Sequence, residues 1–71
     1  MRIVRRDFDP QNRPIREHIL AVEVRSRQDG ESYLNQQLAR GFDSHGYDSG
    51  GDYWWGRHRN DCGCTRYFIE A

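Results

Sequence analysis

The chain contains no lysine. All eleven of its basic residues are arginines, and eleven Asp and Glu residues balance them, so the formal net charge is zero with the histidines neutral. Leu, Ile, Val and Phe together make up only 13 of the 71 residues. A fraction this low indicates disorder only when the net charge is also high. Because the charge is balanced and the aromatic content is 13%, we expect a folded domain.

Long hydrophobic runs and cysteines are also scarce. The longest uninterrupted aliphatic run is Ile19–Val22, which is too short for a signal-peptide core or a membrane-spanning helix. Cys62 and Cys64 are too few and too close together for the disulfide framework of a secreted miniprotein. We therefore expect a cytoplasmic protein with no membrane partner.

The small size of the chain limits its core. A domain of this length hides about 60% of the surface of its unfolded chain, and the free energy gained by burial nearly cancels the conformational entropy lost. Nearly all large side chains must therefore contribute to the core. A tryptophan left in water would indicate a partner or a second subunit.

Residue periodicity predicts one α+β domain over residues 1–71. The predicted strands cover residues 2–8, 15–27, 53–58 and 65–70, and the predicted helix covers residues 31–40. Asp29 or Ser32 is expected to cap the helix and Gly41 to end it. The Gly-, Asp- and Ser-rich segment 42–52 is expected to be a loop.

This order predicts a four-stranded, mainly antiparallel sheet in ββαββ order, with one helix packed on one face. The last two strands are expected to pair as a hairpin. Side chains alternate between the faces of a strand, so Tyr53 and Trp55 should lie on one face and Trp54 on the other. A two-layer domain has one sheltered face, so one large aromatic surface should remain uncovered.

The leading hypothesis is a non-enzymatic interaction protein. Trp, Tyr and Arg dominate the energetics of protein interfaces, and an acidic loop steers a partner electrostatically. The expected partner-binding residues come from the aromatic strand and from the acidic loop: Tyr53, Trp54, Trp55, Arg57, Arg59, Asp43, Asp48 and Asp52. A larger protein is the expected partner, and a homodimer through the open sheet face is a close variant. No catalytic residue, metal ion or cofactor is predicted.

The chain is similar in size and composition to the small accessory proteins of phage and mobile elements, of which anti-CRISPR inhibitors are one group. This resemblance implies an inhibitor that docks on a larger protein.

Two alternatives remain open: a nucleic-acid-binding module, and a small zinc-stabilised or thiol-active domain. A nucleic-acid-binding module would use the same aromatic strand with Arg2, Arg5, Arg6 and the Arg57–Arg59 pair, although the pI of about 6.8 lacks the usual basic excess. A zinc-stabilised domain would use His45, His58, Cys62 and Cys64 as ligands. A thiol-active domain would pair one of the cysteines with His58.

Overall fold

The chain begins with a β-hairpin. The computed structural model describes all 71 residues, and its first two strands, β1 (Arg2–Phe8) and β2 (Pro14–Ile19), pair antiparallel. The connecting turn contains Pro10 and is followed by Pro14, and proline favours turns because its φ is fixed and it lacks a backbone N–H. The Asp9 carboxylate accepts hydrogen bonds from two backbone N–H groups of this turn. Asn12 adopts a φ of 64°, a left-handed conformation that asparagine tolerates better than most residues.

The second strand is shorter than predicted. It ends at Ile19, and residues 20–26 form an irregular connection to the helix. Leu20, Val22 and Val24 still pack on the core from this connection. The prediction of a strand through Arg27 was wrong because alternation reports which side chains point inward, not whether the backbone pairs with another strand.

The helix begins earlier than predicted. Helix α1 (Arg27–Gly41) has Ser26 as its N-cap, with the Ser26 hydroxyl accepting from the Asp29 N–H at 3.2 Å, so Asp29 and Ser32 lie inside the helix. Gly30 is buried in its first turn, where an added Cβ would lie 2.8 Å from Cδ1 of Ile69 on the sheet. This glycine therefore permits close packing of helix on sheet.

The C-terminal part of the chain supplies three strands. They are β3 (Ser44–Asp48), β4 (Tyr53–Arg57) and β5 (Cys64–Glu70). The sheet order is β2-β1-β5-β4-β3, and all neighbouring strands are antiparallel. The α+β class and the β4–β5 hairpin are confirmed. Four strands in ββαββ order was wrong, because the segment predicted as a loop contributes β3 and makes the order ββαβββ.

The core lies between α1 and one face of the sheet. Its buried residues are Ile3, Val24, Leu34, Leu38, Trp54 and Tyr67. The opposite face of the sheet has no second layer. No helix of the structure combines the length and the apolar character needed to cross a membrane.

Candidate functional site

The two adjacent tryptophans lie on opposite faces of β4. Trp54 is 4% exposed and belongs to the core. Its ring centroid lies 4.6 Å from that of Tyr47. Trp55 points to the face without a helix and is half-buried. The predicted alternation is therefore confirmed. Trp54 was expected to contact a partner, but it is buried in the core and is not accessible at the surface.

The face opposite α1 is built from alternate residues of β1, β4 and β5, and we call it the open face. Its aromatic and basic members are Arg2, Arg6, Phe8, Tyr53, Trp55, Arg57, Arg66 and Phe68. None of the four aromatic side chains is fully buried. Tyr53 and Phe68 contact each other, with ring centroids 5.5 Å apart. The open face is therefore a half-exposed aromatic layer interleaved with arginines.

The arginines of the open face stack on its rings. The Arg66 Cζ lies 4.2 Å from the Phe8 ring centroid and 4.7 Å from that of Tyr53. Its Nη2 donates a hydrogen bond to Oδ1 of Asn12 at 2.6 Å. Arg6 lies 4.6 Å from the Phe68 centroid. Stacking engages the flat side of a guanidinium and leaves N–H groups at its edges for acceptors in its plane.

The ion pairs neutralise only part of this face. Arg6 pairs with Glu17 at 3.1 Å and with Glu70 at 3.6 Å, and Arg2 pairs with Glu70 at 3.0 Å. Arg57 and Arg66 have no carboxylate in ion-pair contact. Two guanidinium groups of the open face therefore have no ion-pair partner.

A cleft of about 240 Å³ lies at these two arginines. Its lining residues are Asp48, Tyr53, Trp55, Arg57, Cys64 and Arg66. The indole of Trp55 lies against the backbone of Gly46 on β3, where an added Cβ would be 2.9 Å from the ring. The glycine therefore allows the indole to pack directly on the sheet.

The three aspartates of the segment 42–52 do not form one acidic patch. The Asp43 carboxylate accepts from the backbone N–H of Arg59 at 2.6 Å. Asp52, at a φ of 53°, forms an ion pair with Arg27 and accepts a hydrogen bond from the Tyr47 hydroxyl. The hydrogen bond from Arg27 holds the pKa of Asp52 below its usual value.

Asp48 closes the β3–β4 turn. Its Oδ1 accepts from the backbone N–H groups of Gly50 and Gly51, at 2.9 and 3.2 Å. Its Oδ2 accepts from the Tyr53 hydroxyl at 3.0 Å. The Gly51 N–H, followed by the Tyr53 hydroxyl, lowers the pKa of Asp48. Desolvation raises the pKa of Tyr53, with a smaller effect from Asp48. Asp43, Asp48 and Asp52 therefore each accept hydrogen bonds from other groups of this chain.

The residues of the zinc and thiol hypotheses do not form a ligand cluster. No group of three or more His, Cys, Asp or Glu side chains is placed to hold a metal ion, so His45, His58, Cys62 and Cys64 do not form a four-ligand zinc site. His58 and Cys64, a pair of the thiol hypothesis, line one cleft of about 420 Å³. Both thiols are free. The His58 ring stacks on Phe42 with centroids 4.7 Å apart.

The arginines of the nucleic-acid hypothesis are also separated. Arg5 lies on the helix side of the sheet, 5.9 Å from the Tyr67 centroid, and pairs with Asp7 at 3.2 Å. Arg2 and Arg6 are paired on the open face. A phosphate bound by Arg2, Arg5 or Arg6 would have to compete with these ion pairs.

A larger cleft of about 420 Å³ lies at the Phe8 end of β1. Its acidic lining residues include Asp7, whose Oδ1 accepts from both Arg5 Nε and the Thr65 hydroxyl, the latter at 2.7 Å. Phe42 fills the space above Gly56 in its wall. The Asp7 carboxylate is thus already engaged within the chain.

Three residues of the open face were missed in the sequence: Phe8, Arg66 and Phe68. The signal was present in β5, where Thr65, Tyr67 and Ile69 alternate with Arg66 and Phe68. Their contact with Phe8 and Tyr53 depends on the pairing of β5 with both β1 and β4, which local patterns do not contain.

Comparison of the chain with models of protein families, with curated proteins and with solved structures finds no match.

Proposed function

We propose that this protein is a non-enzymatic binding domain that docks on a larger protein through the open face. The observation that carries the proposal is the combination of half-exposed Trp55 and Phe68 with two guanidinium groups, those of Arg57 and Arg66, that lack a carboxylate partner. Aromatic residues and arginine are enriched at the centres of protein interfaces. An inhibitor of a larger protein, the role implied by the likeness to phage accessory proteins, is one form of this function.

The distribution of charge favours a different protein over a second copy of this chain. Glu17 and Glu70, the exposed carboxylates near β1 on this face, are already paired with arginines. A second copy would offer these engaged groups to Arg57 and Arg66. A partner with free carboxylates would satisfy both arginines without breaking an ion pair.

The same charges argue against nucleic acid as the partner. A strand of nucleic acid presents a run of phosphates, and binding it depends on uncompensated positive charge. Two of the four arginines on the open face, Arg2 and Arg6, are neutralised, and the chain has no net charge. Nucleic-acid binding therefore stays an alternative that the measurements below would detect.

The experiment compares open-face variants with a matched surface control. A partner is captured from the source organism and purified, and its Kd is measured by calorimetry for wild type, Trp55→Ala, Arg57→Ala and Arg40→Ala. Arg40 is a suitable control because it is exposed, lies on α1 and makes no ion pair. We expect Trp55→Ala and Arg57→Ala to weaken binding by about tenfold or more, and Arg40→Ala to have little effect.

Equal affinities for all four proteins, with circular dichroism confirming that each is folded, would refute docking through the open face. Sedimentation analysis of the protein alone tests whether a second copy of this chain covers the open face. A dimer that dissociates on Trp55→Ala substitution would identify the second copy as the natural cover of this face and contradict the proposal. A monomer is the expected result.

A further inference from the structure

The cleft beside Trp55 carries an unbalanced positive charge. Arg57 and Arg66 contribute two positive charges to its lining, and Asp48 contributes one negative charge. Neither Arg57 nor Arg66 is in ion-pair contact with Asp48. One monovalent anion would therefore balance the cleft.

The hydrogen bonds leave donors without a protein acceptor. Both oxygens of Asp48 are engaged, one by two backbone N–H groups of the turn and the other by the Tyr53 hydroxyl. Arg66 donates only to Asn12, and the Arg57 guanidinium has no hydrogen bond to another protein group. The acceptor for the remaining N–H groups must come from outside the chain.

Arg66 is held in place before any ligand arrives. Its guanidinium stacks on Phe8 and Tyr53, and Asn12 accepts one of its N–H groups. An arginine with restricted rotation loses less conformational entropy when it binds. Its planar set of N–H donors matches the two oxygens of a carboxylate.

We propose that this cleft binds one side-chain carboxylate, from a Glu or Asp in an acidic segment of the partner, with its methylene stem against Trp55. This inference rests on the proposed function. A single carboxylate supplies the one negative charge that the cleft lacks. A nucleic acid would bring further phosphates past Arg2 and Arg6, which are already paired with Glu70 and Glu17 and offer no uncompensated charge.

The test is an NMR titration of the labelled full chain with an acetylated, amidated penta-glutamate peptide and with its penta-glutamine counterpart. The signals followed are the Trp55 indole N–H and the Nε–H groups of Arg57 and Arg66. We expect saturable shifts of these signals with penta-glutamate only. In the Arg57→Gln variant the apparent affinity should fall by about threefold or more, whereas an Arg40→Gln control should titrate like wild type.

The planar donor geometry is tested by Arg66→Lys, which retains the charge. We expect a loss comparable to that of Arg57→Gln, since lysine lacks the paired donors. Arg57 is exposed, so the Arg57→Gln result remains decisive if Arg66→Lys is poorly folded.

The proposal is overturned if penta-glutamine produces the same shifts, if the shifts lie away from the cleft, or if Arg57→Gln leaves the titration unchanged. Tighter binding of hexathymidine, which carries the same number of charges as penta-glutamate, would overturn it in favour of nucleic acid. Failure of this titration with retained Trp55-dependent binding of the purified partner would reject only the carboxylate site. Carboxylate binding in the titration without Trp55-dependent binding of the purified partner would reject docking through the open face.

Discussion

The two adjacent tryptophans should respond very differently to truncation. Trp54 is 4% exposed in the core under α1, and Trp55 is half-buried on the open face. We predict that Trp54→Ala destabilises the protein by about 3–5 kcal/mol, the usual cost of removing a large aromatic side chain from a core. Trp55→Ala should cost about 1–2 kcal/mol, because only part of the indole is buried and water can fill the space it leaves.

The difference is large compared with the total stability. At about 0.05–0.15 kcal/mol per residue, a domain of 71 residues has a free energy of unfolding of about 4–11 kcal/mol. Trp54→Ala would therefore remove a large fraction of the stability or abolish folding. A difference of about 2 kcal/mol between the variants corresponds to roughly 8–16 °C in melting temperature.

The assay is urea unfolding followed by far-ultraviolet circular dichroism. This signal is preferable to fluorescence because both substitutions remove a fluorophore. The free energies of unfolding are obtained by linear extrapolation, with wild type measured in parallel. If Trp55→Ala proves as destabilising as Trp54→Ala, the open face contributes as much to stability as the core. The distinction between one covered face and one uncovered face would then be wrong.

Substitutions at three further positions test local features of the fold. Ser26→Ala removes the N-cap of α1 and should cost about 1 kcal/mol in urea unfolding, while Ser26→Asp should cost much less; equal losses would contradict the cap. Gly63→Ala places a Cβ against the backbone carbonyl oxygen of Phe8, so it should destabilise by about 1–3 kcal/mol, and a neutral result in thermal melting would show that this turn can shift. Asp52→Asn tests the ion pair with Arg27. Since the pKa of Asp52 is lower in the folded state than its usual 3.8, its contribution is present at neutral pH and is lost as the pH falls through the folded pKa. The stability gap between wild type and Asp52→Asn should therefore narrow on acidification below about pH 4, and a gap independent of pH would exclude this role.

Several elements could be predicted from local sequence pattern because two separate features of the sequence indicate the same structure. The first strand has both alternation and a following Pro- and Asn-containing turn, and it lies where predicted. The β4–β5 hairpin follows from two aromatic, alternating segments on either side of a tight turn. The helix was found from the spacing of Leu34 and Leu38, both fully buried.

The errors lie where packing decides the local structure. Gly30 is suited to a turn by its own preference, but the close approach of Ile69 uses it inside the helix. The segment Ser44–Asp48 has weak intrinsic preference for a strand, yet pairing with β4 makes it one. Gly46 contributes by leaving room for the Trp55 indole, a contact between strands that neither segment contains by itself.

The residues of the candidate site also fall into two groups: those that the sequence predicted and those that only the tertiary structure shows. Alternation predicted that Tyr53 and Trp55 share one face of their strand, opposite Trp54. The packing of Trp54 in the core decides that this shared face is the open one. Arg66 was not predicted. Its significance comes from rings on β1 and β4 and from Asn12 in a distant turn, all brought together by the pairing of β5 between two strands.

The amino-acid sequence by itself determined that this chain folds into one helix on an antiparallel sheet and that its two indoles point in opposite directions. Both follow from side-chain periodicity, which is a local property of the backbone. Only the tertiary structure decided which arginines keep a free charge. Ion pairing depends on neighbours far apart in the chain: Glu70 neutralises Arg2 from the opposite end of the sequence, whereas Arg57 and Arg66 have no carboxylate within ion-pair distance.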